Sequence, residues 1–188
     1  VEVDELISKL DNSRGVMLTS RYEYPGRYTR YDIGFVNPPI AIEVSGNNIS
    51  FSALNSRGEL LIDVFDELLN DCSIYKIKSF ENNVITGEII LNNAYFFEED
   101  RVNAPHVLNV IRYLRNALAI DDSYIGFYGA FGYDLGLDFM GVARKMSRDD
   151  SRDLILYFAD EVLITDHEKK TSTKHSYDFE ILKNGEVI

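Results

Sequence analysis

The sequence predicts an α+β protein: mainly antiparallel sheets with helices packed on one side. Strand-like runs outnumber helical ones, and most are joined by turns of hairpin length. The apolar share of 45% and the 23 Tyr and Phe residues are those of a chain that buries a core. At 188 residues the chain is long enough for one domain, or one and a half.

In order, apolar residues at Val3, Leu6, Ile7 and Leu10 predict a helix that stops at Asp11-Asn12. Gly15 to Ser20 reads as a strand, and Thr29 to Val36 as the next, halted at Pro38-Pro39. Ile40 to Val44 and Ile49 to Ala53 bracket Ser45-Gly46-Asn47-Asn48, a hairpin signal. Asn55-Ser56-Arg57-Gly58 reads as a turn, followed by an amphipathic helix over Leu60 to Leu69. Ser73 to Phe80 pairs through Glu81-Asn82-Asn83 with Val84 to Leu91. Asn103-Ala104-Pro105 opens a helix, with Asn103 as its cap and Pro105 in its first turn. The stripe of that helix is Val107, Val110, Ile111, Leu114, Ala117 and Leu118. Tyr124 to Phe131 is a glycine-broken strand, and Gly136 to Met146 a short helix. Ser147 to Arg152 is charged and solvated. Leu154 to Ala159 and Val162 to Asp166 are strands about Asp160-Glu161, and Ser172 to Leu182 is the last.

Charge and composition exclude several functions. A net charge of −12 lacks the basic footprint that nucleic acid or an anionic membrane requires. No run of eighteen apolar residues exists, and the opening VEVDELISKL is not a signal peptide. One cysteine, Cys72, excludes an internal disulfide and suits a reducing, cytoplasmic compartment. With no basic neighbour in sequence, Cys72 reads as a buried or inert thiol. His106, His167 and His175 are scattered, and no metal-ligand spacing occurs. Asp166-His167-Glu168 reads as a solvated turn at a strand end. Gly126, Gly129 and Gly132 serve close backbone packing rather than a phosphate loop.

The stretch with most chemical character is LTSRYEYPGRYTRYDIGFVNPP, Leu18 to Pro39. Tyr22, Tyr24, Tyr28 and Tyr31 alternate there with Arg21, Arg27 and Arg30 about a Pro25-Gly26 turn. Rings stack on rings and a guanidinium pairs a carboxylate at two points, so such a loop suits a small aromatic carboxylic acid. Tyr and Arg beside strands also serve as cross-strand pairs and surface cover.

GVMLTSRYEYPGRYTRYDIGFVNPP, ALNSRGELL at 53–61, GFYGAFGYDL at 126–135 and RDLILYFADEVLITDH at 152–167 follow one another in a familiar order. They resemble the N-terminal domain of anthranilate synthase component I, particularly the form fused to its glutamine amidotransferase. The resemblance implies an α/β/β/α sandwich, of which this chain supplies half. It implies a part in making anthranilate from chorismate and glutamine, for tryptophan biosynthesis. Chorismate, Mg2+ and the catalytic acid and base would belong to a C-terminal domain absent from these residues. This stretch alone is therefore expected to be inactive and to hold no cofactor.

The resemblance also implies a share in a feedback site for L-tryptophan. Relatives carry a Leu-Leu-Glu-Ser motif there, with a lysine ten residues beyond the serine. Here Met17-Leu18-Thr19-Ser20 stands in that place, so Ser20 keeps the serine, Thr19 replaces the glutamate and Arg30 falls on the lysine. Glu23 and Tyr22 are possible additional contacts, Glu23 as an alternative partner for an α-ammonium group. The implied partners are L-tryptophan, the C-terminal chorismate-binding domain and a glutamine amidotransferase, with neither nucleic acid nor membrane. A sister enzyme aminating chorismate towards a phenazine or folate precursor, and a stand-alone amino-acid-binding module, remain the alternatives. Phe131-Gly132-Tyr133-Asp134 matches a family segment read here as structural, with Asp134 as a helix N-cap.

Overall fold

A computed structural model of the chain describes residues 2–19, 30–90, 105–140, 152–180, 182–183 and 186–187. The described elements run α1 (Glu2–Leu10), β1 (Gly15–Leu18), β2 (Tyr31–Val36), β3 (Ile40–Ser45), β4 (Asn48–Ala53), α2 (Ser56–Asn70), β5 (Tyr75–Glu81) and β6 (Val84–Ile89). They continue with α3 (Val107–Ala117), β7 (Gly126–Phe131), α4 (Asp134–Phe139), β8 (Leu154–Ala159), β9 (Glu161–Asp166), β10 (Thr171–Ser176), β11 (Leu182–Lys183) and β12 (Glu186–Val187).

The strands form a six-stranded sheet in the order β5-β6-β4-β3-β8-β7 and a four-stranded sheet in the order β1-β2-β9-β10, with β11 and β12 as a small pair. Every pairing is antiparallel. Alternation along the strands sends the two faces of the large sheet to different cores. Ile40, Ile42 and Val44 of β3 meet Ile62, Phe65 and Leu69 of α2 and Val110 and Leu114 of α3. Ala41, Tyr157 and Ala159 point the other way, onto Phe35, Val162 and Ile164 of the four-stranded sheet. Leu6 of α1 lies over Gly34, on the far side of that second sheet. Each sheet thus carries its helices on one face and meets the other sheet with the opposite face, giving the layers α/β/β/α.

The large core is aromatic at its centre. Phe51, Phe65 and Phe158 are fully buried, with Phe65 5.8 Å from Phe158 and 6.1 Å from Phe51 between ring centroids. Burial of such a side chain stabilises by roughly 2–3 kcal/mol before its ordering entropy is subtracted. Tyr75 packs edge-on to Phe51, and its hydroxyl donates to the Ile49 carbonyl at 2.9 Å, so the polar tip is satisfied inside.

The turns follow their residues. Gly46 supplies a φ of 61° between β3 and β4, and Asn82 and Asn83 supply 51° and 59° between β5 and β6. Four expectations are corrected. Asn55-Ser56-Arg57-Gly58 is the cap and first turn of α2 and not a free turn: Asn55 Oδ1 accepts from the Gly58 amide at 3.0 Å. The N-cap of α3 is His106, whose Nδ1 accepts from the Leu108 amide at 3.3 Å. Pro105 therefore precedes the cap, while Asn103 lies outside the described residues. The last long strand ends at Ser176 and not at Leu182, because its partner β9 begins at Glu161; the Tyr177 amide makes one further bond, donating to the Asp160 carbonyl at 2.9 Å, at the corner where the partner strand runs out. Asp134 lies inside α4 as its first residue and is not its N-cap, and the helix expected over Gly136 to Met146 is described only as far as Phe139.

Asp160 is a corner, where the chain steps from the large sheet into the small one. The step between β2 and β3, at Asn37-Pro38-Pro39, is the reverse crossing. Arg57 ties the two, bonding Asp160 Oδ2 through Nε at 2.5 Å, Asp160 Oδ1 through Nη2 at 3.2 Å and the Asn37 carbonyl at 2.8 Å.

Candidate functional site

The tyrosine-and-arginine stretch enters and leaves at one end of the four-stranded sheet. β1 and β2 are antiparallel neighbours with Leu18 opposite Ile33, so Thr19 and Arg30 emerge side by side from the same end. Thr19 is exposed. Ser20, Tyr22 and Glu23, and the Pro25-Gly26 turn, lie outside the described residues.

β9 ends beside β2, with Tyr31 opposite Asp166, and the His167 amide carries the ladder one step further by donating to the Arg30 carbonyl at 2.8 Å. Its turn is held by Asp166, whose Oδ1 accepts from the Glu168 and Lys169 amides at 3.0 and 3.1 Å. Asp166 Oδ2 accepts from Arg30 Nη2 at 3.3 Å, and Arg30 Nε lies 3.3 Å from Glu168. The guanidinium also stands 4.9 Å from the centre of the Tyr31 ring. Burial pulls the Asp166 carboxyl upward, but the Lys169 amide, Arg30 and the Glu168 amide together hold it below the ordinary carboxylate range.

Arg30 is thus a fixed guanidinium shared by two carboxylates. The Asp166-His167-Glu168 segment is a turn, as its sequence implies, but its side chains are used as well as solvated. His167 reaches back to Asp32, placing Nε2 3.0 Å from Oδ2. Asp32 is 1% exposed, and neither of its oxygens has an aligned hydrogen bond. The described end of the sheet therefore collects Asp32, Asp166 and Glu168 against Arg30 and the imidazole of His167. Such an excess of carboxylate favours cations.

Sequence reasoning singled out Thr19 and Arg30, read Asp166-His167-Glu168 as a solvated turn and passed over Asp32. The available signal was alternation. Tyr31, Ile33 and Phe35 share one face of β2, so Asp32 falls on the other with Gly34, where an acid is out of place. The partners come from a strand more than 130 positions away, beyond any local pattern.

A cavity of about 230 Å³ lies between α1 and the four-stranded sheet, lined by Leu6, Gly34, Val162 and Leu163. Its charged lining residues pair among themselves, Glu5 with Lys9 at 2.7 Å and Glu161 with Lys174 at 2.8 Å. Cys72 is buried in the large core, and burial pushes its thiol up. Among the described residues no group of three or more His, Cys, Asp or Glu side chains could hold a metal ion, and no helix is long and apolar enough to cross a membrane.

No family model matches the chain. Individual proteins do. Anthranilate synthase of Azospirillum brasilense is 34% identical over 167 residues, covering 87% of this chain and 22% of that protein. Anthranilate synthase component 1 of Haemophilus influenzae is 23% identical over 171 residues, 89% of this chain and 33% of the relative. Component 1 of Escherichia coli is 24% identical over 140 residues, 73% of this chain and 26% of the relative. The chain spans between about a fifth and a third of the length of these relatives.

Proposed function

Because this chain belongs to the anthranilate synthase component I family, we propose that it is the N-terminal structural and regulatory domain of an anthranilate synthase, one that senses L-tryptophan. The observation that carries the reading is the 34% identity to the Azospirillum brasilense anthranilate synthase across 87% of the chain. The whole protein would convert chorismate and glutamine to anthranilate. The chorismate site, its Mg2+ and the catalytic groups would lie in the C-terminal domain, and an amidotransferase domain or subunit would supply ammonia.

Support for the regulatory half of the proposal comes from the end of the four-stranded sheet. Thr19 and Arg30, the counterparts of two tryptophan-site positions in relatives, emerge there together. Phe131 at the end of edge strand β7, Tyr133 just before α4 and Met140 just after it are exposed, a surface suited to contact with the remaining domain. Tryptophan bound where the two domains meet would favour an arrangement in which chorismate binds poorly. A differential binding energy of about 1–3 kcal/mol changes affinity roughly 5- to 150-fold, enough for feedback.

The test is steady-state anthranilate formation by the full-length protein with increasing L-tryptophan, with Arg30→Ala and Ser20→Phe variants beside the parent. Both variants are expected to keep uninhibited turnover and lose sensitivity. Inhibition of both as strong as that of the parent would remove the site from this end of the sheet. A product other than anthranilate would move the protein to a sister enzyme.

A further inference from the structure

Thr19 is uncharged where the resemblance implies a glutamate, so a tryptophan site at this end of the sheet takes its counter-ion from another residue. Asp32 has the properties of one. It sits on the second residue of β2, at the level where the chain leaves β1, and is 1% exposed. A buried carboxylate normally collects hydrogen bonds or a fully committed cation. Among the described residues Asp32 has neither: its oxygens lack aligned donors, and its neighbour at 3.0 Å is the imidazole of His167, a side chain 42% exposed. The guanidinium of Arg30, two residues away, is engaged by Asp166 and Glu168.

We infer that the Asp32 carboxylate receives the primary ammonium group of an amino-acid ligand, with the His167 side chain standing in that position when no ligand is bound. An ammonium group carries three donors on one small centre and can aim separately at both carboxylate oxygens, which a planar imidazole at one edge does not do. The exposure of His167 lets it swing away as the ligand enters. Arg30, with its charge shared by two acids, acts as the positioning residue that fixes the β9 turn carrying His167. The inference rests on the proposed tryptophan site and supplies its missing charge.

The experiment is calorimetric titration of the full-length protein with L-tryptophan and with indole-3-propionate, which keeps the ring and the carboxylate and lacks the ammonium. Asp32→Asn is expected to weaken tryptophan tenfold or more and leave indole-3-propionate unchanged. His167→Gln is expected to bind tryptophan at least as tightly as the parent, which keeps the test open if Asp32→Asn fails to fold. Parent-like tryptophan affinity in Asp32→Asn, equal weakening of both compounds, or loss of tryptophan binding in His167→Gln would each overturn the assignment of Asp32 alone. Failure of the parent to bind tryptophan at all would overturn the regulatory reading with it.

Discussion

Arg57 grips Asp160 through two nitrogens, 2.5 and 3.2 Å from the carboxylate oxygens, at the point where the chain passes from one sheet to the other. Asp160 is 5% exposed and Arg57 is half exposed, so the acid bears the desolvation and the guanidinium offsets it. The same guanidinium donates to the Asn37 carbonyl at the reverse crossing, so one side chain sets how the two sheets are joined.

Arg57→Ala should therefore destabilise by about 2–3 kcal/mol, since it leaves a buried carboxylate unpaired. Arg57→Lys should recover only part of this, because a single ammonium cannot span both oxygens and the Asn37 carbonyl. Urea unfolding followed by circular dichroism measures both, and a loss under about 0.5 kcal/mol for Arg57→Ala would show the clasp to be dispensable.

Two helical glycines should respond with opposite sign. Helix propensity alone favours Gly→Ala by about 1 kcal/mol. At Gly58, however, an added Cβ would lie 2.1 Å from the Pro39 carbonyl oxygen, a backbone atom that cannot yield cheaply. Gly58→Ala should cost stability, by roughly 2 kcal/mol or more. At Gly136 of α4 nothing among the described residues lies within 4 Å of the added carbon, so Gly136→Ala should raise stability by about 0.5–1 kcal/mol. Thermal unfolding of the two variants decides it.

Asp166 should contribute to acid sensitivity. Its native pKa is held below the ordinary value by the Lys169 amide, Arg30 and the Glu168 amide, against the opposing effect of burial. The group therefore binds its proton more readily when unfolded. Its stabilisation is fully present above the unfolded value of about 3.9 and is lost as pH falls through the lower native value. Asp166→Asn should be less stable than the parent at pH 7, with the gap closing below about pH 4. A gap that stays constant between pH 7 and pH 3 would contradict the assignment.

Cys72 should resist thiol reagents in the folded protein. It is 3% exposed, and burial raises its pKa, which leaves little thiolate at neutral pH. Labelling with a chromogenic disulfide should be slow without denaturant and stoichiometric in urea. Rapid labelling of the native protein would mean that the core around α2 opens easily.

Much was legible in the chain itself, because the decisive signals were local. Alternation in IAIEVS and the short unbroken apolar run LILYFA set strands buried on both faces. The 3.6-residue stripe Leu61, Phe65, Leu68, Leu69 set α2, and paired asparagines at 82–83 set a hairpin. The resemblance carried in YEYPGRYTR pointed to the end of the sheet where Thr19 and Arg30 emerge.

Where a signal depended on partners far along the chain, local reading stopped short. Asn55 and His106 became helix caps because the amides of Gly58 and Leu108 lacked acceptors, a need that exists only once each helix has formed. Asp160 looks like a turn residue until two sheets meet at it. Asp32, Asp166 and His167 form a cluster only because β9 returns beside β2 across more than 130 residues, and a charge acquires its energetic meaning from what surrounds it in space. Sequence alone thus determined the elements, through periodicity and short-range turn chemistry, and the family, through the resemblance of whole stretches. The tertiary structure decided which carboxylates are buried and which are paired, because both depend on what surrounds each group in space.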